Sequence, residues 1–537
     1  MVRLAVLPDL APGENTRGAA SGAAWSYLLA DRACGSIVCL GVPSTATRTV
    51  LDGLGEVRVV PFGVEPGPPA DGSVGLVAVL DARWAERLVE RSDLAAWTER
   101  ALVPDGSRFV RLGQATSGDG TPQRLPAGFD PGDRLWLGVR DGEIRAAAPA
   151  GEPDLIEFAV ARLAGEREVR SPLRRLARRV LRRESTIEQA PGLLGGSGSP
   201  HGVAPPPAYL RASAAAAGAP IDDRRWALVD PGVYATKKVL LFLFEPGERA
   251  PGVVVKLVRD PRFNPRLEGA RAGLTALQRL PADLRGLGPR PVFFGLHAGL
   301  AHMAETVVDG DSLKGRMTAA SDDPLIAATA DRLVRLELAT ADATLATPAE
   351  VADGIRAMTA RFDAIYHLTR AEGEALGEAA DRIAAARAPF PLVLQHGDAG
   401  TWNVLIDPSG DPVFIDWEAS VPNGMPLWDL FYFLRSVGVG LARRAGARDA
   451  MAAVEQQLFA DTPVSRLLAE ATWRVVDGTS LDGALVEPLF RTCWMHRALK
   501  ESSTLRPGRL DRSHYRRLLG RSIERRDAPG LRRLFDQ

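Results

Sequence analysis

The sequence predicts two modules of mixed architecture. An α/β, doubly wound sheet domain comes first, and an α+β module follows in which a small sheet-rich lobe precedes a larger helical one. Three observations carry this. Short apolar strands alternate with helical stretches over residues 1–165, a Gly-, Pro- and Ala-rich stretch interrupts the chain near 200, and from 226 strand patterns give way to helical ones. A chain of 537 residues also exceeds what one hydrophobic core supports.

In the first module, "GSIVCLGV" (35–42), "EVRVVPFGV" (56–64), "VGLVAVLD" (74–81) and "SRFVRLG" (107–113) read as strands. "TATRTVLDGL" and "ARWAERLVERSDLAAWTERAL" between them carry helical periodicity. Such alternation implies a parallel sheet with helices on both faces. Residues 166–185 then form a basic amphipathic helix: Leu173, Leu176, Val180 and Leu181 share one face, and Arg174, Arg175, Arg178, Arg179, Arg182 and Arg183 fill the other. Two readings fit it, a solvated basic face or a weak contact of 170–183 with anionic membrane. Residues 186–224 lack the apolar surface to fold alone and read as a flexible Gly/Pro/Ala linker, with Gly196 and Gly198 in no phosphate-loop context. The sheet-rich lobe spans 225–310 and the helical lobe 311–537.

Bulk composition excludes several classes. Lys plus Arg equals Asp plus Glu at 66 each, so no net charge argues for nucleic acid as a partner. Cys34, Cys39 and Cys493 match no zinc spacing and read as reduced apolar residues of a cytoplasmic protein. Pro8 and Asp9 break the first apolar run, against a signal peptide, and no stretch approaches the roughly 20 apolar residues of a membrane span.

Chemistry concentrates in "LVLQHGDAGTWNVLID" and "DPVFIDWEAS", where polar residues end apolar strands. Transfer of a phosphoryl group from ATP needs a carboxylate to orient the acceptor hydroxyl and take its proton, and oxygen ligands to hold Mg²⁺ on the phosphates. Asp398 fits the first role, and Asn403 with Asp416 fits the second. A lone H-x-D is weak evidence; H-x-D-x₄-N followed by an apolar strand and I-D-W-E is specific.

This region, with "NGMPLWDLFYFL" (Gly424, Pro426, Asp429) after it, resembles the aminoglycoside phosphotransferase/choline kinase family, relatives of the protein kinases. The resemblance covers roughly residues 225–520 and implies a two-lobed protein-kinase-like fold. It implies that Asp429 braces the catalytic loop and that His396 orients it. Lys256 in "PGVVVKLVRDP" would contact the ATP phosphates, with Glu268 of the next helix holding its ammonium. Backbone near Met303–Thr306, with Glu305, would face adenine. The phosphate loop would lie in "LVDPGVYATKKVLLFLF", which holds one glycine, Gly232, where several are usual; Tyr234, Thr236 and Lys237 would contribute instead. Trp402 and Trp417 are expected to pack.

The first module resembles the class I S-adenosylmethionine-dependent methyltransferases through its strand-helix order and "RALVPDGSRFV". Its first loop carries a single glycine, Gly41, before Pro43 and Ser44, and Pro61 stands where an acid would grip a ribose. A degenerate methyltransferase-like domain without the cofactor is therefore expected. The whole reads as a small-molecule kinase using ATP and Mg²⁺ on the hydroxyl of a sugar, amino alcohol, nucleoside-like metabolite or aminoglycoside. The alternative is a pseudokinase that binds a nucleotide or metabolite without turnover and acts with a partner.

Overall fold

A computed structural model describes residues 24–29, 34–67, 72–112, 125–127, 129–164, 188–196, 205–232, 237–341 and 344–536. The basic helix expected at 166–185, with its membrane contact through 170–183, lies outside the described residues, as do Tyr234 and Thr236. The chain divides into two compact units, one gathering Arg17–Asn264 with Val292–Val307 and the other Pro265–Pro291 with Val308–Gln537.

The first unit is built on one sheet. Its strands are β1 (Gly35–Leu40), β2 (Gly55–Val60), β3 (Val74–Val79), β4 (Leu102–Arg111), β5 (Arg134–Arg140), β6 (Glu143–Pro149), β7 (Glu188–Gly196), β8 (Arg225–Val229), β9 (Val239–Phe244), β10 (Pro251–Leu257), β11 (Pro291–His297) and β12 (Leu300–Thr306). They lie in the order β11-β12-β10-β9-β8-β6-β5-β7-β4-β3-β1-β2. The expected parallel sheet is the run β2-β1-β3-β4. Helices Thr45–Leu54, Ala82–Glu90 and Ser92–Arg100 occupy the predicted helical stretches, the first two capped by Ser44 and Asp81. Strand residues alternate between two cores, as the period of two requires: Ile37, Cys39, Leu76 and Ala78 face one, and Val38, Leu40, Val77 and Val79 the other.

Within the stretch 186–224, expected to be a flexible linker, the described residues include a strand and a helix. β7 runs antiparallel between β4 and β5, and helix Ala208–Ala216 buries Tyr209, Leu210 and Ala214. Composition misled because a strand inserted between two others draws its stability from ladder bonds on both edges. Small residues there are a packing requirement: a Cβ on Gly192 would lie 2.6 Å from Leu137 Cδ1. Leu193 is fully buried.

Nor does a boundary fall at 225. Strand β8 pairs with β6 through Ala146↔Val229 and Ala147↔Leu228, so the sheet of the first module continues into the expected small lobe. Leu135, Leu137, Leu228, Leu241 and Val255 belong to the same apolar cluster as Ile37 and Leu76.

The second unit is mainly helical, with short strands Phe390–Gln395, Val404–Ile406 and Pro412–Phe414 among its helices. Among the described residues no helix is long and apolar enough to cross a membrane.

Candidate active site

Strand Phe390–Gln395 is buried along its length and delivers His396, Gly397 and Asp398 at its end. Gly397 takes φ +74°, and a Cβ there would lie 2.0 Å from the Ala419 carbonyl oxygen, so only glycine passes. The Asp429 carboxylate, in the first turn of helix Trp428–Arg444, accepts from the N–H groups of His396 (2.5 Å) and Gly397 (3.0 Å). Burial pushes its carboxyl pKa up while these N–H donors oppose the rise. His396 is fully buried: Nδ1 accepts from the Asp398 N–H and Nε2 donates to the Ile415 carbonyl at 3.1 Å. Burial lowers its pKa, so it is a neutral orienting ring.

Asp398 is held on both oxygens. Arg497 Nη2 donates to Oδ1 at 2.7 Å, and Asn403 Nδ2 donates to Oδ2 at 2.9 Å. Asn403 also binds the Asp398 carbonyl at 2.9 Å, which spends its amide nitrogen and leaves its oxygen for another ligand. The Ile415 N–H donates to the Asn403 carbonyl (2.8 Å), and Asp416 follows with φ +67°. A left-handed aspartate is uncommon, and such strain persists where the surroundings impose a particular side-chain direction. Asn403 and Asp416 are hard oxygen donors, as Mg²⁺ requires, and two protein ligands suit an ion that keeps waters and substrate phosphates. The donor set fits that ion.

Two residues here escaped the sequence reading. Arg497 and Lys500 lie on helix Val486–Ser502, and each donates to the Gly397 carbonyl, at 2.7 and 2.9 Å. The Arg497 guanidinium carbon sits 3.2 Å from the centroid of the Tyr432 ring. Burial, then the Arg497 charge, pull the Lys500 pKa down to about 7. Their one sequence signal is two cations spaced three apart, on a helix that also carries Glu487, Arg491, His496 and Glu501; the partner of Arg497 lies 99 residues away. As expected, Trp417 packs, fully buried, its indole N–H on the Phe414 carbonyl. Trp402 stands edge-on to Tyr432.

The residues expected at the nucleotide lie in the first unit, apart from Glu268. Lys256 Nζ pairs with Glu305 Oε1 at 2.7 Å, with side chains 9% and 5% exposed. Antiparallel register explains this: Val254 faces Glu305 and Lys256 faces Met303, so Lys256 and Glu305 are diagonal neighbours on one face. Within its own unit the acid beside the lysine is thus Glu305. Glu305 Oε2 is buried with no hydrogen-bond partner among the described residues, an acceptor a nucleotide could meet. Glu268 is exposed on helix Asn264–Leu277. That helix is seated on the segment after Asp416 in its own unit: Ser420 Oγ donates to the Gly269 carbonyl and Arg266 pairs with Glu418. Gly232 ends the described part of the β8–β9 connection before Lys237, and a Cβ on it would lie 2.3 Å from Lys237 Cβ.

The carboxylate of Asp398 is thus fixed beside two further oxygen donors, Asn403 and Asp416, at the ends of short strands, an arrangement that could serve phosphoryl transfer. Residues 242–477 match the model of the phosphotransferase enzyme family. Similar solved structures include the aminoglycoside phosphotransferase APH(3'')-Id from Streptomyces rimosus in complex with ADP and streptomycin. It is 20% identical over 49% of this chain and 90% of that one, with TM-score 0.31. A choline/ethanolamine kinase family protein from Mesorhizobium loti is 16% identical over 55% of this chain and 87% of its own, with TM-score 0.34. The choline kinase LicA from Streptococcus pneumoniae is 15% identical over 55% and 89%, with TM-score 0.30. No curated protein matches the chain.

Proposed function

We propose that the chain transfers the γ-phosphate of ATP to a hydroxyl of a small molecule. The observation that carries this reading is the Asp398 carboxylate clamped between Arg497 and Asn403, with the strained Asp416 on the next turn. Asp398 orients the acceptor hydroxyl and takes its proton as the bond to phosphorus forms. Arg497, Asn403 and the bonds to the Gly397 carbonyl keep that carboxylate in one rotamer. Lys256, oriented by Glu305, carries the positive charge for the donor phosphates. Asn403 and Asp416 would hold Mg²⁺, which neutralises phosphate charge when bound.

The charge around the acid also bears on the acceptor. Arg497 and Lys500 hold the catalytic loop, Arg435 lies 4.6 Å over the Tyr515 ring, and Arg497 faces both Tyr432 and Tyr515. Such surroundings favour a neutral or anionic hydroxyl compound, a sugar or nucleoside-like metabolite, over a polycation. The amino-terminal module is read as a degenerate methyltransferase-like domain, a reading supported by its parallel core. Its Gly41 is committed to packing: a Cβ would lie 2.6 Å from Asp81 Cβ.

The test is phosphate transfer from labelled ATP across a panel of neutral, anionic and polycationic alcohols. Transfer to a neutral or anionic member supports the reading. Binding of Mg·ATP with neither transfer nor hydrolysis would favour a pseudokinase, a reading to which the double engagement of Asp398 lends its one specific support.

A further inference from the structure

We propose that Arg435 determines acceptor specificity by binding an anionic group, a carboxylate or a phosphate, on the hydroxyl compound that Asp398 activates. The inference rests on the phosphotransferase reading above and narrows its acceptor. Arg435 lies on helix Trp428–Arg444, in the same unit as Asp398. Its neighbour on the helix, Ser436, accepts at Oγ from the Thr401 N–H at 2.9 Å, so this turn is fastened to the catalytic loop. Tyr515 makes a second connection. Its ring centroid lies 4.6 Å from the Arg435 guanidinium carbon and 5.9 Å from that of Arg497, whose Nη2 holds Asp398 at 2.7 Å. Tyr432, one turn before Arg435, packs on the Arg497 guanidinium, with its ring centroid 6.2 Å from that of Tyr515. Two separate connections thus bring Arg435 beside the acid.

What sets Arg435 apart is a missing counter-charge. The residue is 7% exposed, and its Nε is buried with no hydrogen-bond partner among the described residues. No acid pairs with it among those residues, and the Tyr515 face is its contact. Arg491 and Arg497, similarly buried on helix Val486–Ser502, each face an acid, Glu487 at 2.5 Å and Asp398 at 2.7 Å. A buried charge without a partner is costly, and an aromatic face offsets part of that cost. The partner that completes the site is an anion brought from outside the chain. A guanidinium matches carboxylate and phosphate oxygens through two parallel hydrogen bonds, while a cationic amine is repelled. Held by its anionic group, the acceptor gives its hydroxyl proton to Asp398, its oxygen bonds the γ-phosphorus of ATP, and ADP leaves.

The experiment uses the full chain and two matched series: glucose with glucuronate, glucose phosphate and glucosamine, and glycerol with glycerate and glycerol phosphate. Calorimetry measures binding to the chain holding Mg·ADP, and transfer from ATP gives kcat and KM for each acceptor. In wild type, an anionic member exceeds its neutral parent in kcat/KM by about tenfold or more, and glucosamine falls below glucose. A preference held by the phosphates, the carboxylates or both supports the proposal and shows which anion is read. Arg435→Met loses the preference, mainly through a rise in KM for the anionic member. Arg435→Lys keeps the charge without the planar fork and retains part of it. Should Arg435→Met fail to fold, the rise in KM is read in Arg435→Lys, and an unchanged KM there overturns the proposal. An anion preference that survives Arg435→Met overturns it alone, as does transfer with no anion preference in wild type. Arg435-dependent binding with no transfer to any member overturns the phosphotransferase reading and the acceptor role together. Neither binding nor transfer of any anionic member overturns the acceptor role.

Discussion

Asp398 and Asp416 stand close in sequence and differ in what holds them. Asp398 is bound by Arg497 and Asn403, and the role proposed for it is orientation and proton acceptance. Asp398→Asn keeps the shape and removes the acceptor. Turnover is expected to fall by about 10² or more, with Mg·ATP affinity little changed. Asp416→Asn is expected to weaken Mg·ATP binding as well, because that carboxylate would hold the metal. Turnover and calorimetry on both variants check the division; equal losses of turnover and affinity in the two would refute it. Glu337 offers a test by pH. It is buried and accepts from the Leu427 N–H at 2.9 Å, and burial raises its carboxyl pKa to about 8. Between the ordinary carboxyl value and that one the folded state binds more protons than the unfolded state, so the group's contribution falls as pH rises. Glu337→Gln keeps the acceptor and removes the titration. Relative to wild type it should gain stability from pH 5 to pH 8 in urea unfolding, and a constant difference would contradict the assignment.

At the scale of elements, β7 decides whether 186–224 is linker or sheet. Leu193 on that strand is fully buried, in the apolar cluster that also holds Val77, Val79 and Val110. Its backbone pairs with Val110 on one side and Arg134 on the other. Leu193→Ala is expected to cost about 2–5 kcal/mol in chemical denaturation, the range for a truncated core leucine. A cost near zero would restore the linker. Helix Asn264–Leu277 shows the opposite economy, where small residues set a close approach. A Cβ on Gly273 would lie 2.2 Å from Ser420 Oγ, and this is how the helix bearing Glu268 comes to rest on the segment after Asp416.

At the scale of the molecule, the small lobe is part of the amino-terminal sheet. Cutting the chain at 225, the boundary composition suggests, strips β6 from β8 and exposes a strand edge together with Leu228, Leu241 and Val255. Unpaired apolar edges aggregate. A fragment of residues 225–537 is therefore expected to be insoluble or rapidly digested by protease, while the full chain resists. A soluble, cooperative fragment would show that the two modules fold separately.

Much of this protein is set by local chemistry and was legible in the residues alone. Strand-helix alternation before 165, polar residues placed at the ends of apolar strands, and the spacing of His396, Asp398, Asn403, Asp416 and Asp429 all follow from side-chain type and period. Those signals survive folding because each acts within a few residues of itself. Tertiary structure decided the rest. Arg497 reaches Asp398 from 99 residues away, Arg145 reaches Asp230 from 85, and Lys256 takes Glu305 through a strand register that no local pattern encodes. The Gly- and Pro-rich β7 is a strand because two neighbours supply its hydrogen bonds. Composition reports what a segment can bury by itself; only the assembled sheet reports what its neighbours bury for it.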